Sequence, residues 1–167
     1  MVAWFLAAVC LWIGTGTIVV GAEEPTFVGY EKCKGCHISQ FETWQRGKHA
    51  KAAEAPRAEQ RGDFKCNLCH GTGAEKGTIF DNVQCEACHG PGSLYKGPKI
   101  MSKGKFKENP EAQRHLASEA GLTPVQEKVC LSCHGKDRPE GHLPARAFDY
   151  AKEIDKVRHR TAQRSAE

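Results

Sequence analysis

The sequence predicts a mainly α-helical chain with extensive loops and little or no β-sheet, built around a core that its own side chains do not supply. Three observations lead there. After residue 22 large apolar residues are sparse and seldom adjacent, while Lys, Glu, Gly and Pro recur throughout. Helix-start signals stand at Asn109-Pro110 and at Thr123-Pro124. Four short units of a single cysteine–histidine pattern punctuate the chain.

With 167 residues the chain is long enough for one domain and short of two. Met1 to Ala22 carry no charged side chain, and an apolar stretch runs from Val2 to Val20. Val20 and Ala22 then stand at −3 and −1 of a small-residue cleavage site before Glu23, so residues 1–22 read as a secretory signal peptide. No Lys or Arg precedes the apolar run, which is atypical of such leaders. An uncleaved membrane anchor is therefore the alternative, because about 20 apolar residues span a bilayer. Cys10 lies inside the run behind Val9, a poor residue to precede a lipidated cysteine. Residues 23–167 are expected to form a single domain. Its composition buries too little apolar surface to offset chain entropy unaided, so it is expected to be largely unfolded without a cofactor.

All eight cysteines after the leader fall in four copies of one motif. They are Cys33-Lys34-Gly35-Cys36-His37, Cys66-Asn67-Leu68-Cys69-His70, Cys85-Glu86-Ala87-Cys88-His89 and Cys130-Leu131-Ser132-Cys133-His134. C-x-x-C-H is the attachment signature of c-type haem. Two thiols about one helical turn apart add across the two vinyl groups of one porphyrin, and the next imidazole becomes the proximal iron ligand. Two four-cysteine zinc sites or four disulfides would also use eight thiols. Neither explains a histidine after the second cysteine in every copy. Zinc ribbons are also mainly intracellular, whereas this chain carries an export signal. Four covalently bound haem c groups are therefore expected, and they would supply the missing core.

The histidines sharpen this expectation. His37, His70, His89 and His134 are the proximal set, which leaves His49, His115, His142 and His159 as candidate distal ligands. One spare imidazole per iron suggests bis-histidine coordination, which closes the iron to substrates and suits it to electron transfer. Met101 is the only methionine outside the leader, so methionine ligation is an option for one haem at most.

The first cysteines of successive motifs are 33, 19 and 45 residues apart, which is no fixed structural period. The short middle spacing should bring the second and third haems close. After the first motif, Ile38, Phe41 and Trp44 recur every three residues, as on a helix face packed against porphyrin. His49 lies 12 residues past His37, about 18 Å along a continuous helix, so on such a helix it must serve a different haem. Asn109 and Pro110 form an N-cap and first helical residue, Gly121 is a natural stop, and His115 falls mid-helix. Thr123-Pro124-Val125-Gln126 reads as a capping box opening the helix that delivers the last motif. His142 lies in the loop Gly141 to Pro144. From Ala147 onward, Ala147, Tyr150, Ile154, Val157 and Thr161 form an amphipathic stripe. His159 would fall roughly 140° from Ile154 on that helix, between Arg158 and Arg160, and its ligation and simple exposure stand level. Exposure would leave one iron five-coordinate.

Lys96 to Lys107 carries five lysines among glycines and reads as a flexible surface loop, solvated, neutralising haem propionates or docking an acidic partner. Lys152 to Arg164 is similarly basic. The formal charge of +4 falls to about 0 with four ferric haems and about −4 with four ferrous ones, since each adds about −1 or −2. Nothing points to nucleic acid.

Phe27-Val28-Gly29-Tyr30 leading into the first motif, followed by Trp44 and Lys48-His49-Ala50, resembles the cytochrome c-554 family. So does Val83-Gln84 leading into the third motif and Gly90-Pro91-Gly92-Ser93 after it. The resemblance implies a small, mainly helical periplasmic tetrahaem protein that accepts electrons from hydroxylamine oxidoreductase, its haems mostly bis-histidine with one five-coordinate. It also implies that His49 serves a haem other than the first. The chain departs from the family at Glu42, where the type member has a further ligand histidine, and at Tyr95, where relatives often have one. The leading expectation is thus an electron carrier between periplasmic redox proteins, a donor and an acceptor, rather than an enzyme. The alternatives are a reductase of a small nitrogen or sulfur species at a five-coordinate haem, and a self-associating subunit of an extracellular haem filament. Contact with a membrane is expected only if the leader is retained.

Overall fold

The structure is a computed structural model that describes residues 23–135, 142 and 147–159. The leader, and the choice between cleavage and anchoring, lie outside the described residues. Among the described residues no helix is long and apolar enough to cross a membrane.

Helices dominate and all of them are short. In chain order they are α1 (Glu31–Lys34), α2 (Ile38–Gln45), α3 (Phe64–His70), α4 (Cys85–His89), α5 (Lys103–Glu108), α6 (Pro110–Glu119), α7 (Glu127–His134) and α8 (Tyr150–Val157). Tight 3₁₀ turns fill Lys48–Glu54, Ala58–Gln60 and Ala74–Lys76. The described β-structure is one antiparallel ladder, β1 (Gly71–Thr72) on β2 (Phe80–Asp81), with Gly71 opposite Asp81 and Thr72 opposite Phe80. The longest described helix has 10 residues. Isolated helices below about 12 residues are marginal in water, so each depends on what it packs against.

Side-chain caps open half of the eight described α-helices. The Asp63 carboxylate accepts the Lys65 N–H at 2.7 Å and opens α3. The Asn109 side chain accepts the Ala112 N–H at 3.1 Å with Pro110 in the first helical position, as the sequence predicts for α6. Asp149 accepts the Lys152 N–H at 3.3 Å, so α8 begins at Tyr150 rather than Ala147.

Two expectations are corrected. The helix expected from Thr123 starts at Glu127, because the Thr123 N–H donates to the His89 carbonyl at 2.8 Å and ties that segment to the third motif. The loop expected across Lys96 to Lys107 is helical in its second half, where Ser102 Oγ accepts the Lys105 N–H and opens α5. Phe41 stacks on Tyr30 with ring centroids 5.3 Å apart, Trp44 lies tilted against the same ring at 5.2 Å, and Ile38 lies exposed. These two rings therefore pack against the segment before the first motif, and Trp44 Nε1–H donates to the Val83 carbonyl at 2.8 Å before the third.

The protein core is as thin as the composition suggests. Among the described residues the buried apolar side chains are Phe27, Ala74, Tyr95 and Ala117. Larger ones, including Phe64, Leu68, Leu116 and Leu131, lie exposed.

Candidate haem-binding sites

A cysteine, a second cysteine three residues on and a histidine one further lie on one helix face, because three and four residues each complete about one turn. That is how three of the motifs are held. Cys66, Cys69 and His70 lie on α3, Cys85, Cys88 and His89 on α4, and Cys130, Cys133 and His134 on α7. The first motif straddles a break, with Cys33 on α1 and His37 as the N-terminal cap residue of α2. Among the described residues the eight motif cysteines form no disulfide. Among the described residues no cluster of three or more His, Cys, Asp or Glu is arranged to hold a metal ion, as a zinc site would require.

Tertiary packing gathers the motifs in an order that differs from the chain. The Cys33 thiol of the first motif touches the Cys85 thiol of the third, and that contact together with burial pushes Cys33 up. Cys88 of the third motif is pushed up to about 11, by burial first and then by Cys130 and Cys133 of the fourth. Cys133 in turn lies 3.7 Å from the Leu68 carbonyl of the second. The spatial sequence is first, third, fourth, second. β1, which directly follows the second motif, also packs against α4 of the third.

The histidines are paired with equal economy. An imidazole nitrogen sits about 2 Å from a first-row metal and about 1 Å from its own ring centre, so two rings sharing one metal have centroids about 6 Å apart. His49 and His134 stand 6.1 Å apart, and His70 and His142 stand 6.0 Å apart. The chain reaches the first pairing without the continuous helix considered above. Gly47 turns extended after α2, and His49 rides on the following 3₁₀ turn. Burial, and then His134, lower the His49 imidazole below its usual value and favour the neutral form that binds metals. His70 Nδ1 is 2.9 Å from the Ala52 carbonyl, which makes it the N–H donor and leaves Nε2 as the nitrogen that could take a metal. Phe148 stacks on His134 at 4.9 Å.

His37, His89 and His159 form the remaining group. Burial lowers the His89 imidazole, with His159 and then His37 adding to it. Burial followed by His37 lowers His159. His159 is not on the amphipathic stripe, because α8 ends at Val157 and the chain turns extended at Arg158. Its Nδ1 is buried without a hydrogen-bond partner. His115 is placed otherwise. It stands on the outer side of α6 with its side chain 73% exposed, 3.4 Å from Glu119.

Two residues near the motifs were not visible as functional in the sequence. Tyr95 is buried and donates to the Gly90 carbonyl at 2.8 Å, fixing the turn after the third motif. Glu86, the spacer of that motif, is 1% exposed. The signal that could have singled it out is that it is the one acid standing between two motif cysteines. Beside the first motif a cavity of about 210 Å³ is lined by Cys33, Cys36, His37, Tyr95, Met101 and the lysines Lys32 and Lys96. Paired thiols one turn apart, imidazole pairs at the spacing of a shared metal and exposed Phe64, Leu68 and Leu131 beside them fit a covalently held haem.

Comparison with known proteins agrees. The sequence model of the family described as "Cytochrome c554 and c-prime" matches residues 32–90, which span the first three motifs. Cytochrome c-554 of Nitrosomonas europaea is 29% identical over 160 residues, covering 80% of this chain and 68% of that protein. The structure of the reduced state of cytochrome c554 from Nitrosomonas europaea superposes with a TM-score of 0.56 at 24% identity, covering 80% of this chain and 79% of that one, and shares the fold. The chain is similar to the cytochrome c-554 family across its first three motifs, and this similarity supports a c-type cytochrome, an electron carrier with covalently bound haem c.

Proposed function

We propose that the protein is a four-haem electron shuttle working in the periplasm, between a donor of the hydroxylamine oxidoreductase kind and a second redox protein. The observation that carries this reading is the pair of imidazole–imidazole spacings, 6.1 and 6.0 Å, each joining a motif histidine to a distant one. Haem c supplies a one-electron couple whose potential follows its axial ligands and surroundings. In this reading Cys33, Cys36, Cys66, Cys69, Cys85, Cys88, Cys130 and Cys133 anchor four haems. His37, His70, His89 and His134 hold the irons from one side. His134 is completed by His49 and His70 by His142. These pairs keep their irons closed to small substrates, and the contacts from first to third to fourth to second motif make the set continuous.

The lysines suit a partner. Lys32 and Lys96 rim the cavity at the first motif, and Lys99, Lys103, Lys105 and Lys107 follow within the same segment. Such a basic rim speeds encounter with an acidic redox protein and loses that advantage as salt screens it.

One observation favours a second reading, reduction of a small nitrogen species at an open iron. His37 and His89 gather around one spare imidazole, His159, while His115 stays on the surface. A single preparation separates the two. A pyridine haemochrome assay should count four haems, the ferric spectrum should be low-spin for at least half of them, and oxidation by an acidic acceptor should slow with salt. A count below four, or fast cyanide binding by most of the haem, would overturn the shuttle.

A further inference from the structure

The two stretches that mark the family in this sequence meet at one side chain. Glu86 lies inside the third motif, and both its carboxylate oxygens accept backbone hydrogen bonds. The donors are the N–H groups of Val28 at 3.0 and 3.1 Å, Gly29 at 2.7 Å and Gly92 at 2.6 Å. Val28 and Gly29 belong to the segment that enters the first motif, and Gly92 to the turn that leaves the third. A Cβ at Gly92 would crowd Glu86 Oε1 at 3.0 Å. Gly29 adopts φ +77°, which turns its N–H towards the carboxylate. Among the described residues no ion pair involves Glu86. Both oxygens act only as acceptors, the role of an ionised carboxylate, and amides rather than a cation hold the charge.

We infer that Glu86 is a positioning residue that clasps the first and third attachment sites together and, by its buried negative charge, holds the potentials of their two haems down. The clasp follows from the geometry, since the segments Glu86 joins lead directly to Cys33 and Cys85, whose thiols touch. The potential follows from charge. Each one-electron reduction adds a negative charge to the iron site, and a fixed carboxylate nearby in a poorly solvated interior opposes it. Its field already reaches a neighbour: burial, and after it the Glu86 charge, push the Tyr95 phenol up.

The inference rests on haem being carried by both motifs, and haem counting tests that point separately. A wild-type protein with fewer than four haems overturns the underlying reading. With four present, Glu86→Gln keeps the shape and removes the charge. Spectroelectrochemistry should then show two of the four midpoint potentials raised, each by at least tenfold in its reduction equilibrium, which is 59 mV for a one-electron couple. The other two should stay in place. A fully loaded Glu86→Gln protein with all four potentials unchanged overturns the inference. Where that variant does not mature, Glu86→Asp serves, because it keeps the charge with one methylene less reach. All four potentials should then stay within threefold of wild type in equilibrium constant. A tenfold rise with the charge still present overturns the role assigned to it.

Discussion

Replacing His49 by alanine tests the haem pairing most directly. His49 sits on a 3₁₀ turn far in sequence from His134, yet its ring centre is 6.1 Å from that histidine's, with the planes tilted by 46°. If the two share an iron, His49→Ala removes one of its two nitrogen ligands and leaves a half-buried space of imidazole size. One iron should then become high-spin, so one haem's share of the low-spin ferric signal should be lost, about a quarter where all four start low-spin and about a third where one is already five-coordinate. Electron paramagnetic resonance and the visible charge-transfer band report this on the purified ferric protein. Added imidazole should restore the signal by entering the vacated space. His115→Ala is the matched control, because that side chain is exposed and faces Glu119. It should leave the spin states as they are. An unchanged His49→Ala spectrum, or the loss appearing in His115→Ala instead, would refute the pairing.

Four further outcomes are expected. The haem-free chain should show little helix by circular dichroism, because Phe27, Ala74, Tyr95 and Ala117 are too few to hold it. Gly90→Ala should destabilise the holoprotein by about 3 kcal/mol or more in denaturant titration: Gly90 has φ +76°, and a Cβ there would run into the Gly121 carbonyl and sit 2.6 Å from Thr123 Oγ1. Tyr95→Phe should cost about 1–2 kcal/mol in the same assay, since it strips the Gly90 carbonyl of a buried donor. Asn109→Ala should cost about 1 kcal/mol through loss of the α6 cap and leave the haem spectra unchanged.

What the sequence disclosed and what it hid divide by range. The attachment motifs and the start of α6 were legible because both are local, one fixed by covalent chemistry and the other by Asn109 and Pro110. The thin core was legible from composition. Thr123-Pro124 misled because its cap signal is also local, while the Thr123 N–H is used by the His89 carbonyl, 34 residues away in the chain. The His159 helical-wheel argument failed because it assumed that α8 continues past Val157, and the chain turns extended at Arg158 instead. No local pattern could reveal that His49 faces His134, that His70 faces His142, or that Glu86 reaches Val28 across 58 positions. Those facts belong to the packing, which the porphyrins are expected to organise.

The touching thiols of Cys33 and Cys85 bear on how the protein is made. Exported chains enter an oxidising compartment, where neighbouring thiols are prone to couple. A bond between these two would occupy one sulfur of the first motif and one of the third, and a single wrong step would cost two cofactors. In a chain exported as proposed above, haem ligation has to outrun oxidation at this point, or a reductant has to keep the chain open until it has been loaded. The closeness that serves electron flow in the finished molecule makes its assembly a race.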